Sequence, residues 1–121
     1  MSYAQDRKVF GRAVFEYQQS KVKLARMATL IQAGRQFSYD VARKMANGDG
    51  TLEASMVKAY VCRAAEWVTR EAMQLHGGMG YAEEFPVSRF FVDARVLSIF
   101  EGADETLCLR VIARRLAEQA L

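Results

Sequence analysis

Two long stretches of helical spacing, separated by one tight turn, restrict this chain more than any other feature of its sequence. From about residue 15 to 46, Leu24, Met27, Ala28, Ile31, Gly34, Ser38, Val41, Ala42 and Met45 recur three or four apart, as one face of an α-helix requires. Lys21, Lys23, Arg26 and Arg43 lie mostly off that stripe. Arg35 falls inside it, so either the helix drifts or the side chain carries its charge outward along its stem. From about 52 to 75, Val57, Tyr60, Val61, Ala64, Val68 and Leu75 form a second stripe. Asn47-Gly-Asp-Gly50 between them reads as a turn, with Thr51 as N-cap and Glu53 in the first helical turn. The spacing predicts an antiparallel helical bundle.

Shorter segments complete it. Pro86 suits the first turn of a helix reaching about Leu97, and after Gly102 a last helix runs to about Gln119, burying Leu109, Ile112, Ala113 and Leu116. Ser2 to Val9 reads as the end of a helix, and no segment reads as a strand pair. The expected fold is therefore an all-α, antiparallel (up-down) four-helix bundle whose first helix is truncated, forming one domain over residues 1–121. A short first helix leaves an apolar face uncovered, which a second copy or a further segment would cover.

Several function classes are poorly supported. No apolar run approaches the roughly 20 residues of a membrane span, and no signal-peptide pattern opens the chain. A net charge of +3, dispersed along the chain, gives no nucleic-acid footprint. Cys62 and Cys108 lack metal spacing and read as buried free thiols in a reducing, cytoplasmic compartment. The only histidine, His76, has no glutamate three residues before it, so no metal pair of the bundle type is expected. No Gly-x-Ser-x-Gly marks a hydrolase, and Gly77-Gly78-Met79-Gly80 follows no strand, so it is not a dinucleotide fingerprint.

Two features could carry chemistry. The three glycines after Gln74-Leu-His76 either just end a helix or let a flat or phosphate-bearing ligand approach the backbone. Glu101 sits between the apolar run Val96-Leu-Ser-Ile-Phe100 and the break at Gly102. Desolvation there favours the neutral acid, as a general base needs, whereas the amino end of the next helix favours the anion. A solvated first-turn glutamate is the alternative.

Three linked motifs resemble the C-terminal domain of the acyl-CoA dehydrogenases, and the similarity runs from Tyr3 to Leu116. Asp6-Arg-Lys-Val-Phe-Gly11 followed by Gln18 is similar to one element of that family. Gln74-Leu-His-Gly-Gly-Met-Gly-Tyr81, with Glu84-Phe-Pro86 and Arg89, resembles its glycine loop; Asp93-Ala-Arg95 with Ile99-Phe-Glu-Gly102 resembles its catalytic segment. The resemblance implies FAD as cofactor, contacted from a neighbouring subunit by Gln74, Gly77 and Gly78, with Arg7, Phe10 and Gln18 against the same cofactor. It implies Glu101 as the base that takes the α-proton of an acyl-CoA thioester while flavin N5 accepts hydride from the β-carbon. It also implies a tetramer and an electron-transfer acceptor protein as partners.

Two departures qualify the resemblance. Where the family usually continues Glu-Gly with Thr-Ser or Thr-Asn, this chain has Ala103-Asp104, which loses a hydroxyl and adds an acid near the cofactor. Backbone amides of Ala103 and Glu105 remain as flavin contacts. The family's N-terminal helical domain and middle β-domain are missing from the sequence, so the chain alone is expected to bind FAD weakly and not to turn over substrate. An acyl-CoA oxidase or flavin monooxygenase of the same fold, or a noncatalytic oligomerisation module, are the rival readings; Glu101 argues against the monooxygenase.

Overall fold

The computed structural model describes residues 1–120. Two helices dominate it, α2 (Gln18–Ala46) and α3 (Thr51–His76), about 43 and 39 Å long at 1.5 Å per residue. Asn47 to Gly50 reverses the chain between them. The Asp49 amide donates to the Lys44 carbonyl at 3.1 Å and the Gly48 amide to Met45 at 3.0 Å, the paired bonds of a Schellman cap. Gly48 takes the left-handed conformation that this cap demands, with φ 80°. The N-cap of α3 is Gly50 rather than Thr51, and the Asp49 carboxylate accepts the Gly50 amide at 2.7 Å. The helix thus starts one residue earlier than expected, with no side chain capping its first turn.

Helix α3 is the hub. It packs against α2, against α5 (Val87–Val96), and against α6 (Asp104–Thr106) and the π-helical segment (Leu107–Ala113), from which α7 (Arg114–Gln119) continues. A short α4 (Gly78–Tyr81) follows α3 directly. Before α2 come α1 (Ser2–Asp6) and an antiparallel pair, β1 (Lys8–Val9) and β2 (Arg12–Ala13).

That strand pair corrects the expectation of a helix to Val9 and of no paired strands. Arg7 turns extended (ψ 121°), ending α1 at Asp6. Phe10 and Gly11 then take φ 51° and 78°, the two left-handed positions of a type I′ hairpin turn. The Tyr17 hydroxyl donates to the Val9 carbonyl at 2.5 Å and fixes the hairpin against the start of α2.

The buried residues of α2 are Ser20, Met27, Gly34 and Val41, each seven apart. The fully buried line on α2 is therefore a single seam of coiled-coil spacing. Ala28, Ile31, Ala42 and Met45, expected inward, are exposed, as are Leu109 (73%), Ala113 and Leu116 on the last helix. The accessible area is 8543 Å², whereas a compact monomer of this mass exposes about 6,600 Å². An apolar groove lined by Leu30, Ile31, Gly34, Val61, Ala64 and Val68 runs along the α2–α3 seam. Both long helices and the last helix thus keep apolar surface uncovered in this chain.

Candidate functional site

The sequence-predicted residues gather at two places, one at each end of α3. At its carboxyl end the His76 ring lies in an aromatic sandwich, stacked on Tyr3 at 4.1 Å and tilted against Phe85 at 5.7 Å. His76 Nδ1 lies 2.7 Å from the Ala72 carbonyl, so Nδ1–H donates, and the Tyr3 hydroxyl donates to the His76 carbonyl at 2.9 Å. His76 thus ties α1 and the segment after α4 to the tip of α3, which leaves Arg7 beside the glycines.

A cleft of about 420 Å³ results, lined by Tyr3, Arg7, Gln74, Gly77, Gly78 and Met79, among others. A Cβ added at Gly77 or Gly78 would meet nothing within 4 Å. The backbone there is open to a ligand, with a guanidinium and an amide side chain at hand. This donor set fits the phosphate-bearing half of a dinucleotide cofactor. Gly80 has a different function: a Cβ would overlap the Met73 carbonyl and stand 2.9 Å from His76 Cβ, so this glycine seats α4 on α3. Phe10 and Gln18 do not line the cleft; Phe10 is at the hairpin apex, 95% exposed, and Gln18 is the exposed first residue of α2.

The second cluster surrounds Glu101. Glu101 and Gly102 both take left-handed conformations, φ 51° and 94°. Such a backbone costs a non-glycine residue on the order of 1–3 kcal/mol and persists only where its surroundings enforce it. Glu101 itself is exposed, and so are Leu97, Ile99 and Phe100, the apolar collar that precedes it in the chain. Ala103 is extended (φ −55°, ψ 143°) and caps α6. Glu105 is exposed, 3.7 Å from Arg63 Nη2.

Asp104 is not the free acid beside the cofactor that its position suggested. It is 3% exposed, hydrogen-bonded by Arg63 Nε, and 3.8 Å from Lys58 Nζ. That bond and the nearby charge raise the Arg63 guanidinium above its ordinary range. Lys58 also donates to the Gly102 carbonyl at 2.5 Å. Sequence reasoning missed this trio, because Asp104 lies more than forty residues from Lys58 and Arg63 and each reads locally as a solvated helix charge.

Lys58 and His76 mark the two clusters on one helix, about 27 Å apart along its axis. The glycine cleft and the Glu101 turn of a single copy are therefore too far apart to enclose one reacting centre.

Comparison with known proteins places these features in context. Residues 1–117 match the family described as "Acyl-CoA dehydrogenase, C-terminal domain". The chain is 44% identical over 119 residues to the (2S)-methylsuccinyl-CoA dehydrogenase of Cereibacter sphaeroides, covering 98% of this chain and 22% of that protein. It is 37% identical to the 3-(aryl)acrylate reductase of Clostridium sporogenes, covering 87% of this chain and 28% of that protein. The butyryl-CoA dehydrogenase structure from Megasphaera elsdenii superposes with a TM-score of 0.91 at 37% identity, over 96% of this chain and 30% of that one. The chain thus spans between a fifth and a third of the length of these relatives.

Proposed function

The chain belongs to the acyl-CoA dehydrogenase family, to its C-terminal domain, and from that premise we propose that it serves as the catalytic and assembly module of an FAD-dependent enzyme oxidising an acyl-CoA thioester. The observation that carries this reading is Glu101 on a left-handed turn, directly after exposed apolar residues. Its role is to take the α-proton of the thioester. Flavin, when bound, supplies the hydride acceptor at N5 for the β-carbon. Covering the Leu97, Ile99 and Phe100 collar removes water from around the carboxylate and strengthens it as a base.

Arg7, Gln74, Gly77 and Gly78 are the residues proposed to hold the cofactor's pyrophosphate and adenosine portion, with Phe10 and Gln18 approaching it from the hairpin side. The amides of Ala103 and Glu105 would face the flavin beside Glu101. The 27 Å between the two clusters and the uncovered apolar faces support a homo-oligomer, a tetramer in the complete enzyme. In it the glycine cleft of one copy serves the cofactor of its neighbour. Oxidation is favoured over reduction by the 44% identity to a dehydrogenase against 37% to a reductase. An electron-transfer protein would then reoxidise the flavin. Free thiols at Cys62 and Cys108 accord with a reducing, cytoplasmic setting.

The test is reconstitution. Combined with the flavin-bearing domains of its enzyme, this chain should yield a yellow complex that reduces an artificial electron acceptor with acyl-CoA. Arg7→Ala should lower flavin retention by about tenfold, the worth of one charge-assisted contact. Flavin retention indifferent to this chain would refute the reading and leave a purely structural module.

A further inference from the structure

The Glu101 turn is enforced from outside itself, and the enforcing groups are charged. Within the loop, backbone bonds run from Ile99 and Phe100 to Val96 and from Asp104 to Ser98, leaving the Gly102 carbonyl to Lys58 alone. Below the turn, Leu107 sits where a Cβ on Gly102 would be, with Cδ2 3.1 Å from that point. Lys58, itself only 23% exposed at its side chain, lies between the Gly102 carbonyl and Asp104 Oδ1. Arg63 holds the other oxygen of the same carboxylate. Asp104 is thus a buried anion hydrogen-bonded by Arg63 and faced by the Lys58 charge at 3.8 Å, and it opens the helix that follows Glu101. Asp104 and Lys58 are largely withdrawn from water, at 5% and 23% side-chain exposure, and interact more strongly than a surface pair, whereas Arg63 is 63% exposed and partly screened.

We propose that Lys58, Arg63 and Asp104 form a clamp that positions the base, holding Glu101 in its left-handed turn by gripping the residues on its carboxyl side. This rests on the reading of Glu101 as the base. The three do not touch the reacting atoms; they fix the direction of the carboxylate. Near-attack geometry is steep, with a displacement of about 1 Å costing roughly 100-fold in rate. A clamp that merely anchored the last helix would affect stability and leave turnover per folded enzyme unchanged.

Two readouts separate these cases, made on the flavin-loaded enzyme that contains this chain. Lys58→Met keeps the aliphatic stem and removes the charge; Asp104→Asn keeps the shape and serves if the first variant folds poorly. In either, kcat should fall about 10- to 100-fold with KM for the acyl-CoA within about threefold, because the base is displaced and substrate binding is not. Lys58→Arg should recover most of the loss. Independently of activity, amide hydrogen exchange over residues 99–105 should quicken at least about tenfold. Exchange at Gly77 to Tyr81 should stay unchanged.

A kcat within twofold of wild type in both variants, or unaltered exchange over 99–105, overturns the clamp. Glu101→Gln run alongside keeps the two ideas apart. If that variant stays active the base assignment fails, whereas an inactive Glu101→Gln beside fully active clamp variants refutes the clamp alone.

Discussion

Substituting each glycine of the loop after His76 by alanine should separate three functions that look alike in sequence. At Gly80 the added methyl has nowhere to go: it overlaps the Met73 carbonyl and lies 2.9 Å from His76 Cβ. The carbonyl belongs to the helix backbone and cannot rotate aside. Relief requires α4 to lift from α3, and overpacking of this kind costs about 2–3 kcal/mol. Gly78 has open space and an ordinary φ, so alanine there should change stability by under about 0.5 kcal/mol. Gly77 has open space but φ 61° and ψ −139°, a backbone that essentially only glycine adopts, and alanine should cost about 1–3 kcal/mol from conformation alone. Urea titration of the three variants, followed by circular dichroism, should find Gly78→Ala the most stable, with Gly77→Ala and Gly80→Ala both below it. Flavin retention in the assembled enzyme should reorder them, with Gly78→Ala impaired despite full stability. Equal stability of Gly80→Ala and Gly78→Ala would refute the steric argument.

Further outcomes follow from ion pairs and thiols. The Lys44 ammonium, 2.8 Å from Glu53, holds that carboxyl below its ordinary value of 4.5. A depressed folded value stabilises above the unfolded value and is lost as pH falls through the folded one. NMR titration of Glu53 should therefore give a midpoint below 4.5, and Lys44→Met should return it upward. Lys23 on α2 pairs with Glu71 of α3 at 2.5 Å, and that carboxylate's side chain is only 11% exposed. Lys23→Met leaves it to Arg70 alone and should cost about 1–3 kcal/mol in urea unfolding, partly regained in Lys23→Met/Glu71→Leu. Cys108 is exposed, contrary to its expected burial, whereas burial raises the Cys62 thiol above its ordinary value. A maleimide should modify Cys108 in the native protein at least about tenfold faster than Cys62.

The long helices were legible because their periodicity extends over seven turns or more, and their ends fall within three residues of expectation. The β1–β2 pair was not, because two residues per strand are too few for alternation to register and its turn uses Phe10 before Gly11 in place of the usual asparagine. Periodicity also marks a face as apolar without saying what covers it. Ile31, Met45 and Leu109 have the right spacing and are exposed, whereas on α2 only the Ser20-to-Val41 seam is fully buried in this chain. At the candidate site, Arg7, Gln74, Gly77 and Gly78 line one cleft, whereas Phe10 and Gln18 do not reach it. The grip of Lys58 and Arg63 on Asp104 depends on α3 meeting the last helix, a tertiary event with no local signature.

The most direct measurement is stopped-flow reduction of the flavin by acyl-CoA in the assembled enzyme, comparing wild type with Glu101→Gln. The amide keeps the size and turn of the side chain and lacks basicity. The account predicts reduction slowed by at least about 10³-fold, with the flavin absorbance of the resting enzyme intact. Reduction of Glu101→Gln within about tenfold of wild type would place the base elsewhere and contradict the account.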